Sequence, residues 1–544
     1  MENQLHWADY VIMAVLLGIS LAIGVYHSLT GGRQRTTSEF ILANRKLMVI
    51  PTIMSMVMSY MSAIIIIGAT AEIYEYGSMI LVWFVPGDFI GCTFLALVII
   101  PWIYPLKLVS IFDYLQFRYN SKVVRYVGAS IGILHAILYN GVAMFAPSIA
   151  LESVTGLSVM VSLPVLAVVG TTYTALGGMR AVVWTDFFQG LVLIAGILAV
   201  QIKGLMLVGG FGGVIQEAEE HGRLIMDEVN PDPRIRNSAL SLTLNAFMMD
   251  IFVKGFCQAS VQRYSATQSL WAARKTIIGN GFLSQILFFI AGFNGLTIFA
   301  YYAKQRCDPI LSGLVNTPNK VGSWVKVEVF KKNIGFSGFF IATLYSGSLS
   351  SLSSNVSGCA ANIWEDLLKP FFGHRLSDYR VTQLNRVLVI ITGCLSLGVA
   401  YVCNTMPGTM IRLTGIFFGA CGGPMVGIFL LGGLFRFTNY IGAICGVIVS
   451  FTIVGCISVG SLTVPQYTPA LPPGPIDGCM DFNETMFGNL NASIHTHYRY
   501  ISGASATTTS VWSILGVHCM TPVVSSECWI QFISLVSITM ASLV

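Results

Sequence analysis

Long, sparsely charged apolar stretches are the feature that most restricts what this chain can fold into. They include the stretches from Val182 to Gly209 and from Leu388 to Val402. A helix of about 20 apolar residues crosses the roughly 30 Å hydrocarbon core of a bilayer. Only 10% of the 544 residues are charged, against about 25% in an ordinary soluble domain. The sequence therefore predicts a chain that crosses lipid many times as α-helices.

Apolar runs between charged loops predict twelve membrane-spanning helices and one further, uncertain helix. We expect the twelve near residues 7–28, 48–71, 78–104, 126–151, 157–177, 183–209, 239–261, 276–302, 336–362, 387–404, 408–434 and 440–463. The thirteenth would lie in residues 500–544, at either 500–521 or 529–544. The polar N-terminus lacks a basic region, so the first helix is expected to be retained rather than cleaved as a signal peptide. The predicted fold class is an all-α polytopic membrane protein whose surroundings are a lipid bilayer.

The loops between these helices are basic in alternation, which predicts their side of the membrane. The basic loops are expected in the cytoplasm and the N-terminus outside. The loop at residues 303–334 is an exception, because it carries several Lys and Arg residues on the predicted outer side. The basic loops account for the net positive charge of the chain, so we expect no nucleic acid as a partner.

Two segments, 210–238 and 464–499, are too polar to span a membrane and fall on the predicted outer side. The second contains N-glycosylation sequons at Asn483 and Asn491. We therefore expect a glycosylated outer loop and a multi-pass protein of the plasma membrane.

Most of the twelve cysteines fall singly within apolar spans, without the spacing of metal ligands. They are expected to be small buried apolar residues. The sequence contains no P-loop, HExxH, dinucleotide fingerprint or nucleophile motif. We therefore expect no enzyme activity, no organic cofactor and no ATP-driven step within this chain.

Two of the predicted helices carry features that suit a cation. Unwinding near Met58 to Ala63 would turn backbone carbonyls into the protein, where an ion can satisfy them. The helix at 336–362 has a stripe of hydroxyls on one face, formed by Ser346, Ser350, Ser353, Ser354 and Ser357. Carbonyl and hydroxyl oxygens suit a hard monovalent cation. Close helix packing by small residues is the alternative explanation of the serines.

Charged residues within or near the apolar spans are costly and indicate either function or pairing. Asp250 and Lys254 lie four residues apart on one helix, so they either pair with each other or serve a solute. Arg412 has no such neighbour in the sequence, and we expect it to bind a solute's negative group. Asp88 and Glu152 are two further acids in such positions.

Seven segments occur in an informative order between residues 7 and 463. They are MSAIIIIGATAEIYEYG (61–77), FDYLQFRY (112–119), LYNGVAMFAPSIALESVTGL (138–157), TTYTALGGMRAVVWTDFFQ (171–189), QASVQRYSATQS (258–269), YSGSLSSLSSNVSGCAANIWEDLLKP (345–370) and GGPMVGIFLLGGLF (422–435). Together they resemble the sodium:solute symporter family, and within it the animal carriers of iodide, vitamins and monocarboxylates.

The resemblance implies a LeuT-like fold of two inverted five-helix repeats with about 13 transmembrane helices. The corresponding division of the chain is 1–47 (outer N-terminus, first helix and cytoplasmic loop), 48–209 (first repeat), 210–238 (outer loop), 239–434 (second repeat), 435–463 (additional helix), 464–499 (glycosylated outer loop) and 500–544 (uncertain C-terminal transmembrane region).

The resemblance also implies sodium as the coupling ion of an alternating-access symporter. By similarity, the sodium ligands are the carbonyls of Met58, Met61 and Gly347 and the hydroxyls of Ser350 and Ser351. A second ion or the solute is associated with a further set of positions, namely Ser62, Ile65, Ala69, Tyr139, Asp250 and Arg412.

Three positions depart from the family pattern. Ile65 stands where the iodide and multivitamin carriers have Gln, and its side chain cannot coordinate a second sodium. Arg412 favours a carboxylate, whereas Asp250 favours a cationic or zwitterionic solute. We expect import of a small anionic solute such as a monocarboxylate. The alternatives are a vitamin (biotin or pantothenate) or iodide as substrate, or a non-transporting sensor or channel on the same scaffold.

Overall fold

The computed structural model describes residues 6–30, 36–230, 232, 235–313, 315, 320–322, 335–373, 375–406, 410–463 and 471–479. Helices dominate this part of the chain. In chain order they are α1 (Trp7–Leu29), α2 (Thr37–Leu42), α3 (Val49–Met58), α4 (Ala63–Tyr76), α5 (Met79–Leu106), α6 (Asp113–Tyr119), α7 (Lys122–Thr155), α8 (Val159–Val208), α9 (Gly210–Glu220), α10 (Ala239–Phe256), α11 (Gln258–Ser265), α12 (Leu270–Gln305), α13 (Phe336–Asn362), α14 (Asp378–Cys403), α15 (Met410–Leu434) and α16 (Tyr440–Thr463).

Nine helices in the described residues are long and apolar enough to cross a membrane, and the bent α3–α4 pair makes a tenth. Each of the twelve helices predicted from sequence corresponds to helical structure, but the one predicted at 239–261 is interrupted at Cys257, whose backbone is extended between α10 and α11. Helices α12 and α14 begin six and nine residues earlier than predicted, because the segments that precede each apolar stretch, which contain Arg274, Lys275 and Arg380, are helical as well. The predicted thirteenth helix and the sequons at Asn483 and Asn491 lie outside the described residues.

Helix α8 is a single run of 50 residues with a break at Gly178. A straight helix of that length would measure about 75 Å, more than twice the hydrocarbon thickness of a bilayer. Gly178 has φ 60° and ψ −165°, a conformation that favours glycine. The two halves, 159–177 and 179–208, match the two separate helices that the sequence predicts.

The serine-rich helix α13 lies at the centre of the molecule and packs against α8, α7 and α1. Every residue from Phe340 to Asn362 is buried. Small residues on its neighbours permit this close packing: a Cβ on Gly196 of α8 would lie only 2.0 Å from the Thr343 hydroxyl oxygen. The helix is too polar to count among the nine apolar spans, so it is stable in lipid only because other helices surround it.

A disulfide joins Cys307, which follows α12, to Cys479. It fixes the segment 471–479, in which Leu471 N donates to the Glu75 carbonyl at the end of α4. Arg306 pairs with Asp477 at 2.6 Å, and this contact lowers the pKa of Asp477. The disulfide was not predicted from sequence. It places the loop that follows α12 on the same side of the membrane as 471–479, and disulfides belong to the oxidising, outer side.

The remaining cysteines of the described residues are free. Five of them are buried, as the sequence predicts, namely Cys92, Cys257, Cys359, Cys403 and Cys421. The prediction is wrong for Cys394 and Cys445, which are exposed, and for Cys456, which is half-buried, because they lie on outward faces of α14 and α16.

Candidate functional site

The backbone is interrupted between α3 and α4, where the two helices meet at an angle of 55°. The Ser62 hydroxyl caps the start of α4 by accepting a hydrogen bond from Ile64 N at 3.2 Å. The break lies where the sequence predicts unwinding, from Met58 to Ala63, and this prediction is confirmed. Carbonyl groups at the end of α3 are therefore released from the helix and face the protein interior.

The released carbonyls face the serine-rich helix. The hydroxyls of Ser350 and Ser351 donate to the Met58 carbonyl at 2.8 and 3.2 Å. Gly347 lies beside the second carbonyl, because a Cβ at this position would be 3.2 Å from the Met61 oxygen. A glycine thus allows α13 to approach the break closely. The structure brings all five predicted sodium ligands together in a buried cluster.

Tyr139 of α7 closes this cluster from a third helix. Its hydroxyl donates to the Tyr60 carbonyl at 3.3 Å and lies near the Ser62 and Ser351 side chains. Four elements therefore meet here: the break, α4, α7 and α13.

Two adjacent cavities of about 100 Å³ each lie next to the break. The first, which we call the Glu72 cavity, is lined by Glu72, Arg236 and Thr414 among others. The second, the Asp88 cavity, reaches Tyr60, Met61 and Tyr139 and therefore borders the cluster of predicted sodium ligands. The two cavities share one wall, which is apolar except for the hydroxyl of Thr414. It is formed by Ile64, Ile65, Phe84, Met249, Phe288, Thr414 and Phe418.

The charged side of the Asp88 cavity consists of Asp88, Asp250 and Lys254. Lys254 Nζ lies 2.6 Å from an oxygen of Asp88 and 2.9 Å from an oxygen of Asp250. Gly91 lets α5 approach α10 here, because a Cβ on Gly91 would lie 2.8 Å from the Asp250 Cβ. Lys254 stands on a π-helical turn, Ile251–Phe256, of a kind often found at functional sites. The predicted Asp250–Lys254 pair is present, and Asp88 makes it a triad.

The other predicted solute residues occupy different places. Ile65 lines both cavities with an apolar side chain. Ala69 is fully buried on α4 and is not one of the described residues that line the two cavities. Arg412 is half-buried on α15, interacts electrostatically with Tyr76, and likewise does not line either cavity in the described part of the chain. In the Glu72 cavity the cation is Arg236, which makes a bidentate contact with Glu72 at 2.8 Å.

The sequence analysis missed a buried ion pair that contacts α3 one turn before the break. Arg263 Nη2 of α11 lies 3.0 Å from Asp186 Oδ2 of α8, and both side chains are fully buried. The Ser55 hydroxyl of α3 donates to the same carboxylate at 2.6 Å. Ser353 and Ser354 of the predicted stripe point at Asp186 from α13, at 3.5 and 3.4 Å. The network therefore ties α3, α8, α11 and α13 together.

Signals for these missed groups were present in the sequence. Asp186 is a charge within the apolar stretch from Val182 to Gly209, which marks it as functional or paired. Asn280 and Gln285, which line the Asp88 cavity, are amides inside an apolar span. No local spacing connects any of them to its neighbours in space.

Residues 40–450 match the model of the Sodium:solute symporter family. The sodium-dependent multivitamin transporter of Oryctolagus cuniculus is 36% identical over 471 residues, which cover 86% of this chain and 73% of the relative. The sodium-coupled monocarboxylate transporter 1 of Homo sapiens is 32% identical over 480 residues, or 88% of this chain and 78% of the relative. Both relatives are transporters rather than enzymes.

Among solved structures, a Na+-coupled sialic acid symporter in a substrate-bound outward-open state superposes with a TM-score of 0.74. It is 19% identical, and the match covers 99% of this chain and 96% of that one. The likeness shows that the chain has the LeuT-like fold expected from the resemblance.

Proposed function

Because the chain belongs to the sodium:solute symporter family, we propose that it imports a small organic solute across the plasma membrane. Sodium is the coupling ion of this multi-pass membrane protein. We infer that sodium binds at the break between α3 and α4 and that the solute binds in the Asp88 cavity beside it.

The observation that carries the proposal is the contact of two hydroxyls with one released carbonyl. Ser350 and Ser351 both reach the Met58 carbonyl, and Gly347 brings α13 close to the Met61 carbonyl. Each hydroxyl also has lone pairs that can face a cation when its proton turns away. A buried set of neutral oxygens suits a hard cation such as sodium without placing a fixed charge in the bilayer.

Sodium and solute binding are coupled because the sodium site at the break and the Asp88 cavity are adjacent. Tyr139 contacts the break and also lines the Asp88 cavity. A sodium ion held between the break and α13 would fix the position of α4. Ile64 and Ile65 of α4 line the solute cavity. Each sodium that enters contributes about 2.3 kcal/mol per 100 mV of membrane potential, which is enough for more than a tenfold concentration of solute.

The charge of the solute depends on the groups that line its cavity. The expectation of an anionic, monocarboxylate-like solute rests on Arg412, and it stays a prediction. The charged groups that line the Asp88 cavity are two carboxylates and one ammonium, so they bear on the solute more directly than Arg412 does.

The experiment compares Ser350→Ala and Ser351→Ala with Ser357→Ala. Ser357 is a matched control because it is buried on the same helix and has no hydrogen bond to α3 or α4 among the described residues. Loss of a ligand should weaken sodium binding by about 1–3 kcal/mol, or roughly five- to 150-fold. The readouts are the sodium concentration that gives half-maximal thermal stabilisation of the purified protein, with potassium as the replacement ion, and surface abundance.

An unchanged sodium requirement in both variants, at normal surface abundance, would refute this placement of the ion. A shift of the same size in Ser357→Ala would show a general packing effect of serine removal on α13.

A further inference from the structure

The Asp88 cavity holds one more negative than positive group. Lys254 Nζ contacts Asp88 Oδ1 at 2.6 Å, Asp250 Oδ1 at 2.9 Å and the Cys92 sulfur at 3.2 Å. These contacts occupy all three N–H donors of an ammonium group. Lys254 is the one cationic side chain among the described residues that line this cavity. A second cation or a proton is therefore needed to balance the two carboxylates.

The second oxygen of Asp88 has only the Cys92 thiol as a hydrogen-bond donor among the described residues. The Cys92 thiol has one hydrogen, and it lies 3.3 Å from Asp250 Oδ2 but 3.8 Å from Asp88 Oδ2. A Cβ built on Gly281 of α12 would lie 3.6 Å from Asp88 Oδ2. This oxygen therefore faces α12, without a strong donor among the described residues.

Helix α12 presents two amides to the same cavity. Asn280 and Gln285 are only 2% and 6% exposed, and both line the Asp88 cavity. Asn280 Oδ1 and Gln285 Oε1 are buried and have no hydrogen-bond partner in the described structure. A buried acceptor without a donor destabilises the folded protein, so a ligand that supplies a donor is favoured here. Three acceptor groups thus surround one cavity: a carboxylate oxygen and two amide oxygens.

We propose that the transported solute carries a primary ammonium group, which binds between Asp88, Asn280 and Gln285. The proposal rests on the proposed function, since it takes the Asp88 cavity as the solute site. An ammonium group supplies both the missing positive charge and three N–H donors. The wall formed by Ile64, Phe84 and Phe288 suits a short hydrocarbon body next to that group.

Two other occupants fit less well. Oxygens of Asp88 and Asp250 and the Cys92 sulfur lie within 4.8 Å of one another, close enough to hold a metal ion. Lys254 Nζ, however, contacts the same three side chains and takes the position that a metal would need. A single shared proton would balance the charge but leave both amide oxygens without donors.

The test uses the full chain, purified and reconstituted in proteoliposomes, with three probes of similar size. n-Butylammonium carries charge and N–H donors, tetramethylammonium carries charge alone, and butyrate carries the opposite charge. In the presence of sodium, n-butylammonium should raise the melting temperature at millimolar concentration and should be taken up. Tetramethylammonium should bind at least about tenfold more weakly, because it cannot donate to the amides. Butyrate should have no effect.

Two variants locate the binding group. Asp88→Asn leaves a neutral Asp250–Lys254 pair, so the fold should be retained, and the affinity for n-butylammonium should fall about tenfold or more. Gln285→Leu removes one acceptor without touching a charge and should reduce the preference for n-butylammonium over tetramethylammonium. Glu152→Gln is the control, because this carboxylate lies outside the cavity, 3.9 Å from Lys320, and should leave both affinities unchanged.

The outcomes separate the two proposals. Sodium-driven uptake of butyrate without any effect of n-butylammonium would overturn the ammonium proposal and leave sodium symport intact. Absence of any sodium effect on stability in the wild-type protein would instead overturn the placement of sodium at the break. Sodium-dependent stabilisation that none of the three probes increases, but that acid increases, would identify a shared proton as the occupant and overturn the ammonium proposal.

Discussion

The buried Asp186–Arg263 pair should control the stability of the whole helical bundle. Asp186→Asn removes the negative charge, Arg263→Gln removes the positive charge, and the double substitution removes both. Each replacement side chain can still form hydrogen bonds. In the intact protein Arg263 donates to Ser55 Oγ and to the Ala259 carbonyl, both at 2.7 Å, as well as to Asp186. The network joins four helices, so its loss would affect the packing of α13 against the break.

Removal of one partner of a buried ion pair costs about 3–5 kcal/mol. The two single substitutions should differ in size within that range. In Arg263→Gln the carboxylate keeps serine donors from α3 and α13, and it can take up a proton, so the cost should be about 3 kcal/mol. In Asp186→Asn the guanidinium stays charged, because arginine does not lose its proton, and the cost should be about 5 kcal/mol. The double variant buries no charge and should be closer to the wild type than either single variant.

The assay is the fraction of monodisperse protein that remains after heating in detergent, together with surface abundance in cells. Arg306→Gln and Asp477→Asn form a matched control, since the same exchange is made at a pair whose side chains are 63% and 60% exposed. Exposed pairs contribute at most about 1 kcal/mol. The reasoning is refuted if Arg263→Gln is the more damaging single change, or if the double variant is as unstable as the sum of the singles.

Three further outcomes are expected. Gly196→Ala should destabilise the protein in the heating assay by about 1–3 kcal/mol, because the added methyl group overpacks against α13. Gly398→Ala should be neutral or stabilising, because a Cβ at that position meets nothing within 4 Å. Equal effects of the two changes would contradict the packing of α8 on α13. After protease cleavage between α13 and α14, the two fragments should stay joined on a non-reducing gel and separate in Cys479→Ser; separation in the wild type would exclude the disulfide. Glycosidase treatment should lower the apparent mass of the wild type but not of the variant with Asn483 and Asn491 both changed to Gln; an equal shift in that variant would place the glycans elsewhere.

Local features of the sequence were sufficient to predict the helices and the break. Hydropathy identifies a span because lipid demands about 20 apolar residues, and this requirement acts on each stretch separately. The break between Met58 and Ala63 and the serine stripe of α13 are likewise local, since both follow from residue types along one helix. The five predicted sodium ligands lie together in the structure for this reason and because the family resemblance paired the two helices.

Only the tertiary structure decided which distant groups meet. Asp186 and Arg263 are 77 residues apart, Asp88 and Lys254 are 166 apart, and the cysteines of the disulfide are 172 apart. Helical periodicity relates a residue only to positions three or four away, so it carries no information on contacts of this range. Those contacts depend on how the helices pack, and packing makes Asp250 and Lys254 part of a triad with an excess negative charge rather than a self-contained pair.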